Sequence, residues 1–176
     1  MRIRNIILCA LFAALLCICA WIAIPLGNSV ITLQTFALFL TLGLLGGKRG
    51  SIVCLVYLLL GAAGLPVFSG FRGGLGMLFG ATGGYLFGFL AAALTYWAIT
   101  SLFKESASVQ LLATLSAMAI CYFFGAGWFL WIWHPPGSPE GFGAALLVCV
   151  VPYLLPDAIK LFLAILLTKR LRQHVF

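Results

Sequence analysis

Asp157 and Lys160 stand three positions apart in the last apolar stretch of this 176-residue chain. On a helix that spacing puts both side chains on one face. A carboxylate accepts hydrogen bonds and an ammonium donates them, so the pair can grip a polar ligand or neutralise itself. An ionised residue at mid-bilayer costs about 2.5–3.5 kcal/mol on insertion scales, so such a pair is rarely kept without a use. Proton transfer between acid and base is compatible with the pair, but the sequence has no nucleophile beside a base, no paired carboxylates and no His-Glu-x-x-His. Binding is the simpler chemistry.

Other residues with donors or acceptors are few. Gln34 and Thr35 lie at the outer part of an apolar run, where capping or interhelical bonding is the plain alternative. The stretch from Gly70 to Gly80 is a glycine-rich loop in which Gly73 and Gly74 could bring backbone N–H groups close to a ligand. Nucleotide motifs fail there: Gly74-x-Gly76 is followed by Phe79 where a dinucleotide fingerprint needs glycine, and Gly46-Gly47-Lys48 lacks the other residues of a phosphate loop. His134 and Glu140 fall in a Trp- and Pro-rich loop beside the interfacial aromatics Trp128, Trp131 and Trp133. No metal-ligand set is visible. Six cysteines all lie in apolar runs without C-x-x-C spacing and read as small buried side chains. Ala10-x-x-x-Ala14 and Gly84-x-x-x-Gly88 are small-residue patterns that let helices approach closely.

The elements that must position these residues are membrane helices. Hydrophobic residues make up 64% of the chain, charged residues 7%, and the mean hydropathy is +1.21. A water-soluble domain of this length could not bury that much apolar surface. Ten basic residues scattered through apolar sequence make no basic face, so nucleic acid is not expected as a partner; membrane lipid is. Apolar runs predict spans over 5–24, 31–47, 50–65, 79–101 and 109–131, an interfacial or re-entrant piece over 141–151, and a last helix over 156–168. That last helix starts with Pro156 at its first position and is about 20 Å long, which places Asp157 and Lys160 at a start recessed below the outer surface. With both termini cytoplasmic, eight basic residues fall inside and Arg72 alone in the outer loops. The expected fold is an all-α six-helix transmembrane bundle, one integral-membrane domain over 1–176, in the cell membrane.

Four motifs occur in order: Thr32-Leu33-Gln34-Thr35-Phe36, Gly64-Leu65-Pro66-Val67-Phe68, Thr82-Gly83-Gly84-Tyr85, and Pro152-Tyr153 followed by Asp157-x-x-Lys160. Together they resemble the BioY family, the biotin-specific S components of energy-coupling factor (ECF) vitamin transporters. Two positions depart from the family pattern: Ala81 stands where it usually has proline, and Leu155-Pro156 where it reads Pro-Gly. The resemblance implies a non-enzymatic subunit that captures biotin from outside and works with an ECF coupling protein and two ATPase subunits, the first helix docking through Ala10 and Ala14. It further implies that Asp157 accepts from the ureido N–H groups and that Lys160 orients the acid or donates to the ring. Gln34, Thr35, Gly73 and Gly74 complete the polar set, while Phe36, Tyr57 or Tyr85 flanks the sulfur ring and Arg72 meets the tail carboxylate. Biotin is then the transported ligand, and no cofactor is expected. The alternatives are a structural or scaffold membrane protein with a buried pair, or an S component for thiamine or riboflavin.

Overall fold

The structure, a computed structural model, describes residues 3–26, 29–104, 106–133 and 141–175. Among these the chain is nearly all helical: α1 (Ile3–Trp21), a short hairpin of β1 (Ala23–Leu26) and β2 (Ser29–Thr32), α2 (Gln34–Ala62), α3 (Leu75–Leu78), α4 (Gly83–Leu102), α5 (Ala107–Trp128) running into a π turn (Phe129–Trp133), α6 (Phe142–Cys149) and α7 (Val151–Val175). Five helices among the described residues are long and apolar enough to cross a bilayer. They are apolar almost all round, as expected of helices with lipid on one side and protein on the other.

The 29 residues of α2 are not one rod. A straight helix of that length would part its ends by about 43 Å. Instead Gln34 Nε2, at one end, donates to the Tyr57 hydroxyl near the other at 2.7 Å. The reversal lies at Gly46, whose φ of 76° and ψ of 169° are open to glycine and strained for other residues. Immediately afterwards the two arms press together, since a Cβ on Gly50 would fall 2.5 Å from the Leu42 side chain. The basic Lys48-Arg49 pair follows the turn. The expected spans over 31–47 and 50–65 therefore appear as two antiparallel arms of one continuous hairpin. Gly46→Val should lower stability by about 1–3 kcal/mol, read as a lower unfolding midpoint in detergent, whereas Gly76→Ala, at an exposed helical glycine with open space around it, should shift it little.

The helices pack around a core in which Leu16, Leu38, Leu42, Val53, Tyr57 and Phe68 are fully buried. Gly84 and Gly88 face α5, where added Cβ atoms would meet Trp128 and Cys121. This small-residue pattern thus serves internal packing. Trp128, expected as part of an interfacial belt, turns inward and donates from Nε1 to the Gly80 carbonyl at 3.0 Å. Trp131 points outward.

The last helix departs from expectation. It begins at Val151 rather than at Pro156 and carries both Pro152 and Pro156. Proline is tolerated in a first turn, where the missing N–H has no intrahelical partner in any case. Pro152 falls in that turn, and Pro156 lies one turn further along, inside the helix. Asp157 is consequently the seventh residue of α7, beyond reach of the helix dipole's positive end. Nor is the last helix too short to span, because the segment Val151–Arg172 is long and apolar enough for a crossing. The separate apolar piece before it is the eight-residue α6, packed against α5 and α7. His134 and Glu140 lie outside the described residues.

Candidate ligand-binding site

Asp157 and Lys160 are both buried, at 2% and 7% exposure. Lys160 Nζ lies 2.7 Å from Asp157 Oδ1, and that oxygen also accepts from Thr35 Oγ1 at 2.8 Å. Lys160 donates in addition to Thr35 Oγ1 at 3.3 Å. The second carboxylate oxygen, Oδ2, accepts from the Tyr122 hydroxyl at 2.7 Å. Thr35 comes from the first turn of α2 and Tyr122 from the middle of α5, so one carboxylate joins three helices. Pairing and hydrogen bonding together offset the large penalty of burying both charges.

What this cluster leaves available defines its chemistry. A carboxylate has about four lone-pair positions and an ammonium three N–H donors. Bonds to described residues engage two positions on Oδ1 and one on Oδ2, leaving one acceptor position on Oδ2. Two of the ammonium's donors are engaged, leaving one. An acceptor thus stands beside a donor, the complement of a ligand edge that carries N–H next to C=O.

A cavity of about 180 Å³ opens beside the cluster. Its polar side includes Thr32, Gln34, Thr35 and Thr82, and its apolar side Phe68, Met77, Leu86 and Phe89. Tyr85 and Tyr153 also line it, with ring centroids 6.2 Å apart. The Tyr85 hydroxyl donates to the Cys149 carbonyl, tying α4 to α6. Space for this ring exists because residue 125 is glycine: a Cβ there would lie 2.4 Å from the Tyr85 ring. Gly61 does the same for Phe68, whose ring a Cβ would overlap at 1.9 Å. Gln34 is held on both ends of its amide, accepting from Thr32 Oγ1 at 2.9 Å and donating to the Tyr57 hydroxyl. The hydroxyl of Tyr57 in turn donates to the Val67 carbonyl at 3.2 Å. Among the described residues every buried side-chain nitrogen and oxygen has a hydrogen-bond partner, and no group of His, Cys, Asp and Glu is placed to hold a metal.

Of the residues expected from sequence, Gln34, Thr35, Tyr85, Asp157 and Lys160 meet in this cavity. Seven others stand elsewhere. Phe36 packs into the core, and Tyr57 sits behind the wall with its ring edge-on to Phe68 at 5.4 Å. Arg72 is exposed on the loop, where its carbonyl accepts from Phe68 N at 2.9 Å. Gly73 allows a close approach, but to the Leu65 carbonyl, and Gly74 N donates to the Gly61 carbonyl at 2.7 Å. Ala10 and Ala14 are exposed along the outward side of α1, between Ile7, Leu11 and Ile18.

Sequence reasoning missed Tyr122, although it is the single tyrosine of the 109–131 run and its hydroxyl needed a partner there. Thr32, Phe68, Thr82 and Tyr153 were also missed as lining residues, yet each belongs to one of the four motifs. All four motifs deliver side chains to the one cavity. The family comparison matches the whole chain, residues 1–176, to the BioY family.

The chain belongs to the BioY family. BioY-family proteins are transporter S components and not enzymes. The chain is 39% identical over 170 residues to the biotin transporter BioY of Thermotoga maritima, covering 97% of this chain and 96% of that one. It is 34% identical over 174 residues to the probable biotin transporter BioY of Pyrococcus horikoshii, covering 99% of each. A crystal structure of the S component for biotin from an ECF-type ABC transporter superposes with a TM-score of 0.83 at 25% identity, over 98% of this BioY chain and 93% of the other. The fold is that of an S component, and the apolar helices fit a multi-pass membrane protein.

Proposed function

We propose that this chain is the biotin-binding S component of an ECF-type vitamin uptake transporter. The observation that carries the reading is the donor–acceptor pair of Lys160 and Asp157 opening into a cavity with aromatic walls. Biotin's ureido ring presents two N–H groups flanking one carbonyl. One N–H meets the remaining acceptor position on Asp157, and the carbonyl accepts from Lys160. Thr35 and Gln34 extend the polar side, and Tyr85 flanks the apolar sulfur ring. Tyr122 and Tyr153 join this set; Phe36, Tyr57, Gly73 and Gly74 support it from behind the wall or from the loop. Arg72 stands on an exposed loop close in sequence to the lining residues Phe68 and Met77, a position suited to a tail carboxylate reaching out of the cavity.

The two arms of α2 are counted as two crossings in this reading, giving six helices with both termini in the cytoplasm, the basic residues inside, and the cell membrane as the site of action. Energy comes from outside the chain, through an ECF coupling protein and two ATPase subunits. Ala10 and Ala14, small and outward on α1, are the docking face. Purified protein in detergent should bind radiolabelled biotin, and biotin at a hundred times its Kd should add about 2.7 kcal/mol of stability. Thiamine or riboflavin should not compete. Ala10→Trp with Ala14→Trp should keep binding but abolish uptake that depends on coexpressed coupling subunits. A melting curve indifferent to biotin would return the buried pair to a structural role.

A further inference from the structure

Asp157 and Lys160 meet one ureido N–H and the carbonyl, and the second N–H still needs an acceptor, because a buried N–H without a partner is costly. Gln34 supplies one when its amide oxygen faces the cavity, and the hydrogen bonds behind the wall fix which way the amide turns. The Val67 carbonyl can only accept, so the Tyr57 hydroxyl, 3.2 Å away, gives it its one proton. Tyr57 is then left as an acceptor, which draws the Gln34 amide nitrogen to it at 2.7 Å. With the amide reversed, Tyr57 would face two acceptors with a single proton, and one buried acceptor would go unpaired. At the other end the Thr32 hydroxyl donates to Gln34 Oε1 at 2.9 Å and accepts from the Gln34 backbone N–H at 3.4 Å. Thr32 lines the cavity, whereas Tyr57 is fully buried behind its wall. The oxygen end of the amide therefore lies on the cavity side, with one lone-pair position left over. The Val67 carbonyl is itself held in place: Val67 N donates to the Leu65 carbonyl at 2.8 Å, and the next residue, Phe68, is seated over Gly61.

We propose that Tyr57 is a positioning residue, turning the Gln34 amide oxygen to the cavity, where that oxygen accepts the second ureido N–H. The inference rests on the biotin reading of the site. Asp157 and Gln34 then supply two acceptors and Lys160 one donor, the complement of N–H, C=O and N–H. Tyr57 itself touches no ligand atom; it acts through Gln34. The consequence is selectivity. A ligand with a ring oxygen in place of the second N–H would bring an acceptor to an acceptor. A hydroxyl such as that of Ser69 or Thr82, which also line the cavity, would not discriminate, since it turns to donate or to accept.

The test uses the full chain in detergent, with competition against radiolabelled biotin by its two cyclic carbamate analogues, each carrying a ring oxygen in place of one ureido N–H. The parent should bind both at least about fivefold more weakly than biotin. In Tyr57→Phe the Gln34 amide is free to turn and donate, so the preference over one carbamate should fall to within about twofold. The preference over the other, whose missing N–H faces Asp157, should hold. A merely structural loss would weaken all the ligands alike and overturn the inference. If Tyr57→Phe fails to fold, Tyr57→p-aminophenylalanine keeps the ring's size and donates to both Val67 and Gln34. That reverses the amide and should make the same carbamate a better ligand than biotin. A parent that binds biotin but binds either carbamate equally well would overturn the inference alone, as would preferences unchanged in both variants. A parent that binds no biotin would overturn the biotin reading and this inference with it.

Discussion

Asp157→Asn is expected to weaken biotin binding about 10- to 150-fold, with the fold retained. Asparagine keeps the volume and one oxygen, and that oxygen is claimed by Lys160 and Thr35, which hold Oδ1 at 2.7 and 2.8 Å. Its amide nitrogen then takes the place of Oδ2. The Tyr122 hydroxyl can adapt, because a hydroxyl accepts as readily as it donates. A ureido N–H cannot: it meets a second N–H where it had met a carboxylate. A charge-assisted hydrogen bond worth about 1.5–3 kcal/mol is replaced by a clash of donors. Equilibrium binding of radiolabelled biotin measures the effect, and an affinity within threefold of the parent would remove Asp157 from the ligand's contacts.

Lys160→Met has the larger consequence for stability. The pair lies within one helix, so its own ion pair does not fasten α7 to its neighbours; Thr35 and Tyr122 do that mainly through the carboxylate, with a longer bond from Lys160 to Thr35. Removing the ammonium leaves a buried negative charge facing only hydroxyl donors, and stranding one partner of a buried pair costs about 3–5 kcal/mol. The unfolding midpoint should drop accordingly. Combining Asp157→Asn with Lys160→Met removes both charges and should restore most of the lost stability, the non-additivity typical of contacting residues. Biotin binding should stay lost in the combined variant. That separation matters, because it distinguishes a pair kept for its ligand from one kept for the fold. If the combined variant were as unstable as Lys160→Met alone, charge burial would not be the cause of the loss.

The parts of this architecture that were legible in the sequence share a physical origin. Bilayer thickness fixes the length of an apolar run, so the spans around α1, α4 and α5 could be read directly. The reversal of α2 was marked by Lys48-Arg49, since charges resist burial in lipid. The start of α7 was misread because Pro156 suits a first helical position, whereas the helix begins at Val151, with Pro152 in the first turn where a missing N–H costs little and Pro156 one turn further in. The β1–β2 hairpin gave no signal, as its strands are short and follow an apolar helix without a polar break. Within the site, Asp157 and Lys160 stood out because ionised groups in hydrocarbon need a reason. Tyr122 did not, because a tyrosine's apolar ring hides a polar tip from any count of hydrophobic residues. Phe36 and Tyr57 were expected beside the sulfur ring as aromatic residues, without knowledge of which way their helix faces. Only the helix rotation could reveal that Phe36 turns to the core and that Tyr57 stands one layer back, behind Phe68.

The grip of a single carboxylate on hydroxyls from α2 and α5 has a consequence for how the protein can be dissected. In the proposed site, recognition is distributed over residues near both ends of the sequence, and no contiguous fragment holds Thr35, Tyr122 and Lys160 without most of the chain between them. A truncated piece lacking any one of those helices would lose the pocket as a whole rather than a share of its affinity. Capture of the vitamin is therefore all-or-nothing with respect to assembly, and a half-built chain in the membrane is blind to its cargo.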